Sequence, residues 1–171
     1  DSGQTSDSSV AVVSTASAAD IAEIRVILKN ASGSASKVVE SVTATISGPG
    51  LIGLNGGTSY GKSIVLAYNA DAQITLGVRA DGTAGTGVIS ISTPSTSFAA
   101  KNVTFYASTA ATIAAAANKP VIATGDNTAV IYAKAVDSLG NAWGGTAYIY
   151  ASTAADAAIA GSVTPAACTY V

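Results

Sequence analysis

The chain has 171 residues, enough for one large domain or two small ones, of which 49% are hydrophobic, 6% aromatic and 11% charged. Charged residues make up about a quarter of an ordinary soluble domain, so Ser, Thr, Asn and Gly must cover the surface here. A formal charge of −2 with no cluster of Lys and Arg excludes recognition of nucleic acid through its phosphates. With no His, one Cys and two Glu, the usual nucleophile–base and acid–base pairs have almost no material, and no enzyme activity is expected.

The opening Asp1-Ser2-Gly3-Gln4-Thr5-Ser6-Asp7 is polar and lacks an initiator Met, in the manner of a mature protein after signal cleavage. This points to an extracellular location, at a cell surface or, alternatively, a virion surface. Ser9 to Ser14 then reads as a short strand, Val10-Ala11-Val12-Val13. From Glu23 to Lys29 the side chains alternate, with Ile24, Val26 and Leu28 on one face and Glu23, Arg25, Ile27 and Lys29 on the other, as a half-buried strand requires. Asn30 to Ser34 is a turn, and Val38 to Ile46 alternates again until Gly48-Pro49-Gly50 stops it. Ile64 to Tyr68, Ala72 to Arg79, Gly87 to Ser92 and Lys101 to Tyr106 are further strands, each bounded by Gly, Asn, Asp or Pro. About seven short strands punctuated by turns in roughly 100 residues is the pattern of a Greek-key sandwich. The Ala-rich stretches from Ala107 and from Ala151 read as loops or small-residue strands, since Thr and Ile interrupt them. Val121 to Ala123, Ala129 to Val136 and Thr146 to Ala151 complete the series of strands. Apolar runs are all far shorter than the roughly 20 residues that cross a bilayer, so no membrane span is expected.

The second part of the chain repeats the first. An offset of 107 residues lays Ile131–Asn141 over Ile24–Ser34 and brings Gly140 onto Gly33. Val130-Ile131-Tyr132-Ala133-Lys134-Ala135-Val136-Asp137-Ser138-Leu139-Gly140-Asn141, followed by Gly144-Gly145-Thr146-Ala147-Tyr148-Ile149-Tyr150-Ala151-Ser152, resembles the bacterial Ig-like repeats of invasin and intimin stalks. That resemblance implies an all-β chain of Ig-like Greek-key β-sandwiches in tandem, with no catalytic residues to carry over. The expected parts are an N-terminal extension 1–16, a sandwich over 17–107 and a second sandwich, incomplete within this chain, over 108–171.

An open sandwich exposes apolar surface and unpaired strand edges, so either the sequence is a fragment of a longer tandem protein or a strand from a neighbouring subunit closes the sandwich by β-augmentation. The expected donor is residues 1–16 through Val10, Val12 and Val13, because that segment looks surplus to the first sandwich. The expected function is therefore a structural subunit of an extracellular filament or surface appendage. Its partners would be copies of itself, joined by β-strand complementation in a manner similar to donor-strand pilins. The alternative is a stalk or tip module of an adhesin or phage fibre that binds a glycan or receptor.

Gly56-Gly57-Thr58-Ser59-Tyr60-Gly61-Lys62-Ser63 matches the phosphate-loop pattern at Gly56, Gly61, Lys62 and Ser63. Such a loop must open a helix, whereas the residues that follow alternate as a strand, so no nucleotide cofactor is expected. Asp71, Asp81, Asp126 and Asp137 fall in predicted turns, where Asp bonds its own backbone, and calcium is the one cofactor these oxygens leave open. Tyr132, Trp143, Tyr148 and Tyr150 are candidate interface aromatics. Asn30 and Asn102 head N-glycosylation sequons, and Cys168 has no partner in the chain.

Overall fold

A computed structural model describes residues 10–35, 40–67, 73–121, 123, 129–150 and 166–167. Its elements are all strands: β1 (Val10–Val13), β2 (Ala22–Val26), β3 (Ser41–Ser47), β4 (Leu51–Leu54), β5 (Tyr60–Gly61), β6 (Ser63–Ala67), β7 (Ile74–Arg79), β8 (Gly85–Ser92), β9 (Lys101–Tyr106), β10 (Thr112–Ala117), β11 (Ile131–Val136), β12 (Tyr148–Ile149) and β13 (Ala166–Ala167). The chain divides into two compact units, 1–108 and 109–171.

In the first unit one sheet has the order β1-β9-β8-β3-β6 and the other β2-β7-β4-β5. All pairings are antiparallel except β1 with β9, where Val10 to Val13 run parallel to Val103 to Tyr106. The alternation read from the sequence is the alternation of burial. Val42, Ala44 and Ile46 of β3 face inward together with Ile89 and Ile91 of β8 and Val103 and Phe105 of β9. The opposite sheet contributes Val26, Ile52, Ile74, Leu76 and Val78 to the same core. Two sheets therefore share one apolar interior, with each strand turning its polar residues outward.

Phe105 is fully buried, and its ring occupies space that only glycine leaves free. A Cβ on Gly50, which sits at φ +95, would come within 2.6 Å of the ring. Gly48-Pro49-Gly50 thus does more than stop β3: it lets the chain cross to the other sheet as β4 while Phe105 packs beneath the crossing. β4 and β5 were not expected from the sequence. Leu51–Leu54 is short and lies among glycines, yet Ile52 is fully buried and pairs with Val78.

One expectation needs correction. The segment holding Val10, Val12 and Val13 is not surplus to the first sandwich but forms its edge on β9, with Val12 packed against the core. Ser14 continues the attachment, its N–H donating to Tyr106 O at 2.8 Å and its carbonyl accepting from Gly82 N at 2.9 Å. Parallel pairing to β9 commits one edge of β1 to its own chain, and β1 is the terminal strand of that sheet. Residues 1–9 of the expected donor lie outside the described residues.

The second unit contains two small antiparallel sheets, β10-β11 and β12-β13. Thr112–Ala117 falls inside the Ala-rich stretch and is a small-residue strand, exposed along its whole length. Among the described residues of this unit only Asp137 is buried. Val121 and Ala123, expected in a strand, lie outside any.

Candidate functional site

The phosphate-loop pattern is taken up by structural bonds. Lys62 Nζ donates to Gly48 O at 2.8 Å, to Gly50 O at 2.6 Å and to Asp81 Oδ2 at 2.8 Å, so its three protons are committed to the β3–β4 crossing. Ser63 opens strand β6 rather than a helix, and the Gly56 N–H, which would face a phosphate, donates to Asp20 Oδ2 at 2.7 Å. A carboxylate already in that position repels an anion. Gly61 lies in β5, paired with Ile52.

The same segment exposes a cluster that the sequence did not reveal. Arg79 Nε donates to Asp20 Oδ1 at 2.8 Å, its Nη2 reaches Gly57 O at 3.1 Å, and its guanidinium lies 3.5 Å from the centre of the Tyr60 ring. The Tyr60 hydroxyl donates to Leu54 O at 2.7 Å with the Asp20 carboxylate beside it. Gly77 makes room for both groups, since a Cβ there would fall 2.7 Å from the carboxylate and from the hydroxyl. Burial pushes the Asp20 carboxyl up, but the Gly56 N–H, the Tyr60 hydroxyl and the Arg79 charge outweigh it and hold the group below its ordinary value. Tyr60 moves the other way, raised by burial and by the neighbouring carboxylate. These bonds tie Asp20, Tyr60 and Arg79 to Leu54, Gly56 and Gly57, which makes the cluster a clamp on the 54–60 loop. Asp20, Tyr60 and Arg79 are far apart in sequence, and no local pattern joins them.

The repeat seen in the sequence recurs in the geometry. Lys29 bridges to Ala35 and, 107 residues later, Val136 bridges to Ala142. Asn30 N donates to Ser34 O at 2.8 Å and Asp137 N to Asn141 O at 3.0 Å; Gly33 and Gly140 close the turns at φ +80 and +81. Asn30 Oδ1 accepts from the N–H groups of Ser32 and Ser34, as Asp137 Oδ1 does from Leu139 and Asn141. One turn has been built twice, with an amide in the first copy and a 2% exposed carboxylate in the second. Asp81 likewise accepts within its turn, from Thr83 N at 2.9 Å. Asp71 and Asp126 lie outside the described residues, as does Cys168. Among the described residues no three carboxylates or thiols gather as ligands for a metal ion.

The copies differ in their surroundings. Val26 and Leu28 of the first are in the core, whereas their counterparts Ala133 and Ala135 are exposed and half-buried. Of the candidate interface aromatics, Tyr132, Tyr148 and Tyr150 are 54%, 63% and 56% exposed. Trp143 is half-buried with its Nε1–H lacking an acceptor, its ring lying over Gly145. Asn102 is exposed on β9, and Asn30 is exposed with its amide oxygen held in the turn. No family model, curated protein or solved structure matches the chain. No helix among the described residues is long and apolar enough to cross a membrane.

Proposed function

We propose that this protein is a structural subunit of an extracellular filament or surface appendage, in which strands from neighbouring subunits complete the second unit. The observation that carries this reading is the β10-β11 sheet. Two paired strands with exposed faces do not bury enough apolar surface to be stable alone, and Ile113 and Tyr132 stand more than half exposed on this pair. Among the described strands β11 pairs with β10 alone, and a further strand would add a second ladder and apolar cover.

The neighbour orders β2-β7-β4 and β9-β8-β3 support an Ig-like Greek-key assignment for the first unit, since these strands occupy the places of B, E, D and G, F, C in that fold. The matched turns support a tandem of such modules. The low charge suits a surface made to pack against its own kind, and the structural bonds of Lys62, Asp20 and Arg79 suit a scaffold. Such contacts join unlike surfaces and propagate without closing.

The seating of β1 on β9 favours a second reading, a stalk or tip module of an adhesin or phage fibre, because it occupies the segment expected to be donated. Negative-stain microscopy and analytical ultracentrifugation of the purified chain separate the two. Fibres, or mass that grows with concentration, support the filament; monodisperse monomers at all concentrations overturn it in favour of the stalk module.

A further inference from the structure

Of the seven asparagines in the chain, only Asn55 precedes a glycine. The backbone nitrogen after an asparagine can attack the side-chain amide, and a glycine there puts no side chain in the way. Gly56 is exposed at φ +69, and no protein atom lies within 4 Å of the position its Cβ would take, so solvent reaches the pair.

The fold ties up both partners of that reaction. The nucleophile, the Gly56 N–H, donates to Asp20 Oδ2 at 2.7 Å, and the leaving group, Asn55 Nδ2, donates to Glu23 Oε1 at 3.0 Å. Attack requires Gly56 N to lose its proton, and the anion so formed would lie against the Asp20 carboxylate, a like charge at hydrogen-bond distance. Closure also needs Asn55 Cγ to come onto Gly56 N, while Glu23 on β2 holds the amide in place. The backbone is fastened on either side, with Asn55 N donating to Thr75 O at 3.0 Å and Gly57 N to Leu54 O at 2.8 Å. Asp20 is itself fixed by Arg79 Nε at 2.8 Å, so the clamp acts as a brake on this chemistry.

We propose that Asn55-Gly56 is a self-modification site that deamidates with hydroxide and water as its co-reactants, and that the Asp20 and Glu23 carboxylates hold it in check. Hydroxide takes the Gly56 proton, the nitrogen bonds to Asn55 Cγ, and the Cγ–Nδ2 bond breaks. Nδ2 leaves as ammonia with a proton from water, which regenerates hydroxide and leaves a succinimide. Water then opens the ring at either carbonyl, giving aspartate or isoaspartate at position 55. Either product removes the Nδ2 donor and adds a carboxylate beside Glu23 and Asp20, so conversion weakens the clamp that delayed it. Loss of ammonia makes the step one-way, and the pair records how long the clamp has stood open.

The test incubates the full chain and a synthetic peptide of residues 51–60, Leu-Ile-Gly-Leu-Asn-Gly-Gly-Thr-Ser-Tyr, in mildly alkaline buffer. Peptide mass mapping follows the amide-to-carboxylate gain at position 55, and isoaspartate-specific methylation follows the second product. The peptide lacks Asp20 and Glu23 and should convert at least about tenfold faster than the folded chain, the factor expected from hydrogen bonds to charged groups. Asp20→Ala, with its fold checked by circular dichroism, should recover about tenfold in rate. Glu23 is exposed, so Glu23→Ala leaves the fold in place and gives a second reading should the Asp20 variant fail to fold. Faster conversion in either folded variant supports the brake. Equal rates in the parent chain and the peptide, or the parent's rate in every folded variant, overturn the proposal.

Discussion

Removing the guanidinium of Arg79 tests whether the Asp20–Arg79–Tyr60 clamp stabilises the first unit. The ion pair is 2.8 Å long, with the Arg79 and Asp20 side chains 16% and 10% exposed. Deleting one partner of a well-buried pair costs about 3–5 kcal/mol, mainly because the other charge is stranded. Asp20 keeps the Gly56 N–H and some solvent, which lowers that figure to about 2–3 kcal/mol. Lost stacking on Tyr60 adds about 0.5–1 kcal/mol, so Arg79→Ala should cost ~3 kcal/mol in urea unfolding followed by circular dichroism. Asp20→Asn keeps an acceptor for Gly56 and should cost ~1–2 kcal/mol. The double variant then gives a coupling of about 1–2 kcal/mol. A coupling below ~0.5 kcal/mol would place the pair with ordinary surface bridges and refute the clamp.

Lys62→Ala should cost only about 0.5–1.5 kcal/mol, since the side chain is 52% exposed although it ties the β3–β4 crossing; titration calorimetry should register no ATP binding by the parent chain. Phe105→Ala should cost about 3–5 kcal/mol in the same unfolding assay, because the surrounding strands cannot collapse into the space left by a fully buried ring. If the two turns are one design, Asp137→Asn should cost less than about 1 kcal/mol and Asp137→Ala clearly more, the amide oxygen being able to accept the same N–H bonds; equal losses would count against the equivalence. Thermal melts across pH should show a plateau. The depressed carboxyls of Asp20, Asp81 and Glu40 contribute stability that is present above their ordinary values near 4 and lost as pH falls through their lower folded ones. The raised Tyr60 contributes stability present below its ordinary 10.0 and lost as pH rises beyond it. With no His in the chain, a step between pH 6 and 8 would contradict this assignment.

Where one face of a strand is buried, the sequence was legible. Val42, Ala44 and Ile46 announced β3 by period-2 alternation, and Gly33 and Gly140 at a common offset announced the duplicated turn. Strands that lack this alternation were not legible. β4 is four residues long and reads Leu-Ile-Gly-Leu, and β5 has two residues; both owe their existence to pairing with each other and with β7. The clamp was invisible for a related reason, since it joins Asp20, Tyr60 and Arg79 across three segments.

The segment at Val10 to Val13 marks the same division. Its apolar character declared a strand, but the choice between its own β9 and a neighbour's edge is a matter of which backbone groups come within hydrogen-bonding reach. By itself, then, the sequence determined periodicity and repetition: which residues could face a core, where the chain must turn, and that one turn occurs twice. Only the tertiary structure decided pairing, joining β2 to β7 in one unit while β11 pairs with β10 alone among the described strands of the other, because strand pairing is a contact between distant segments that no local pattern encodes.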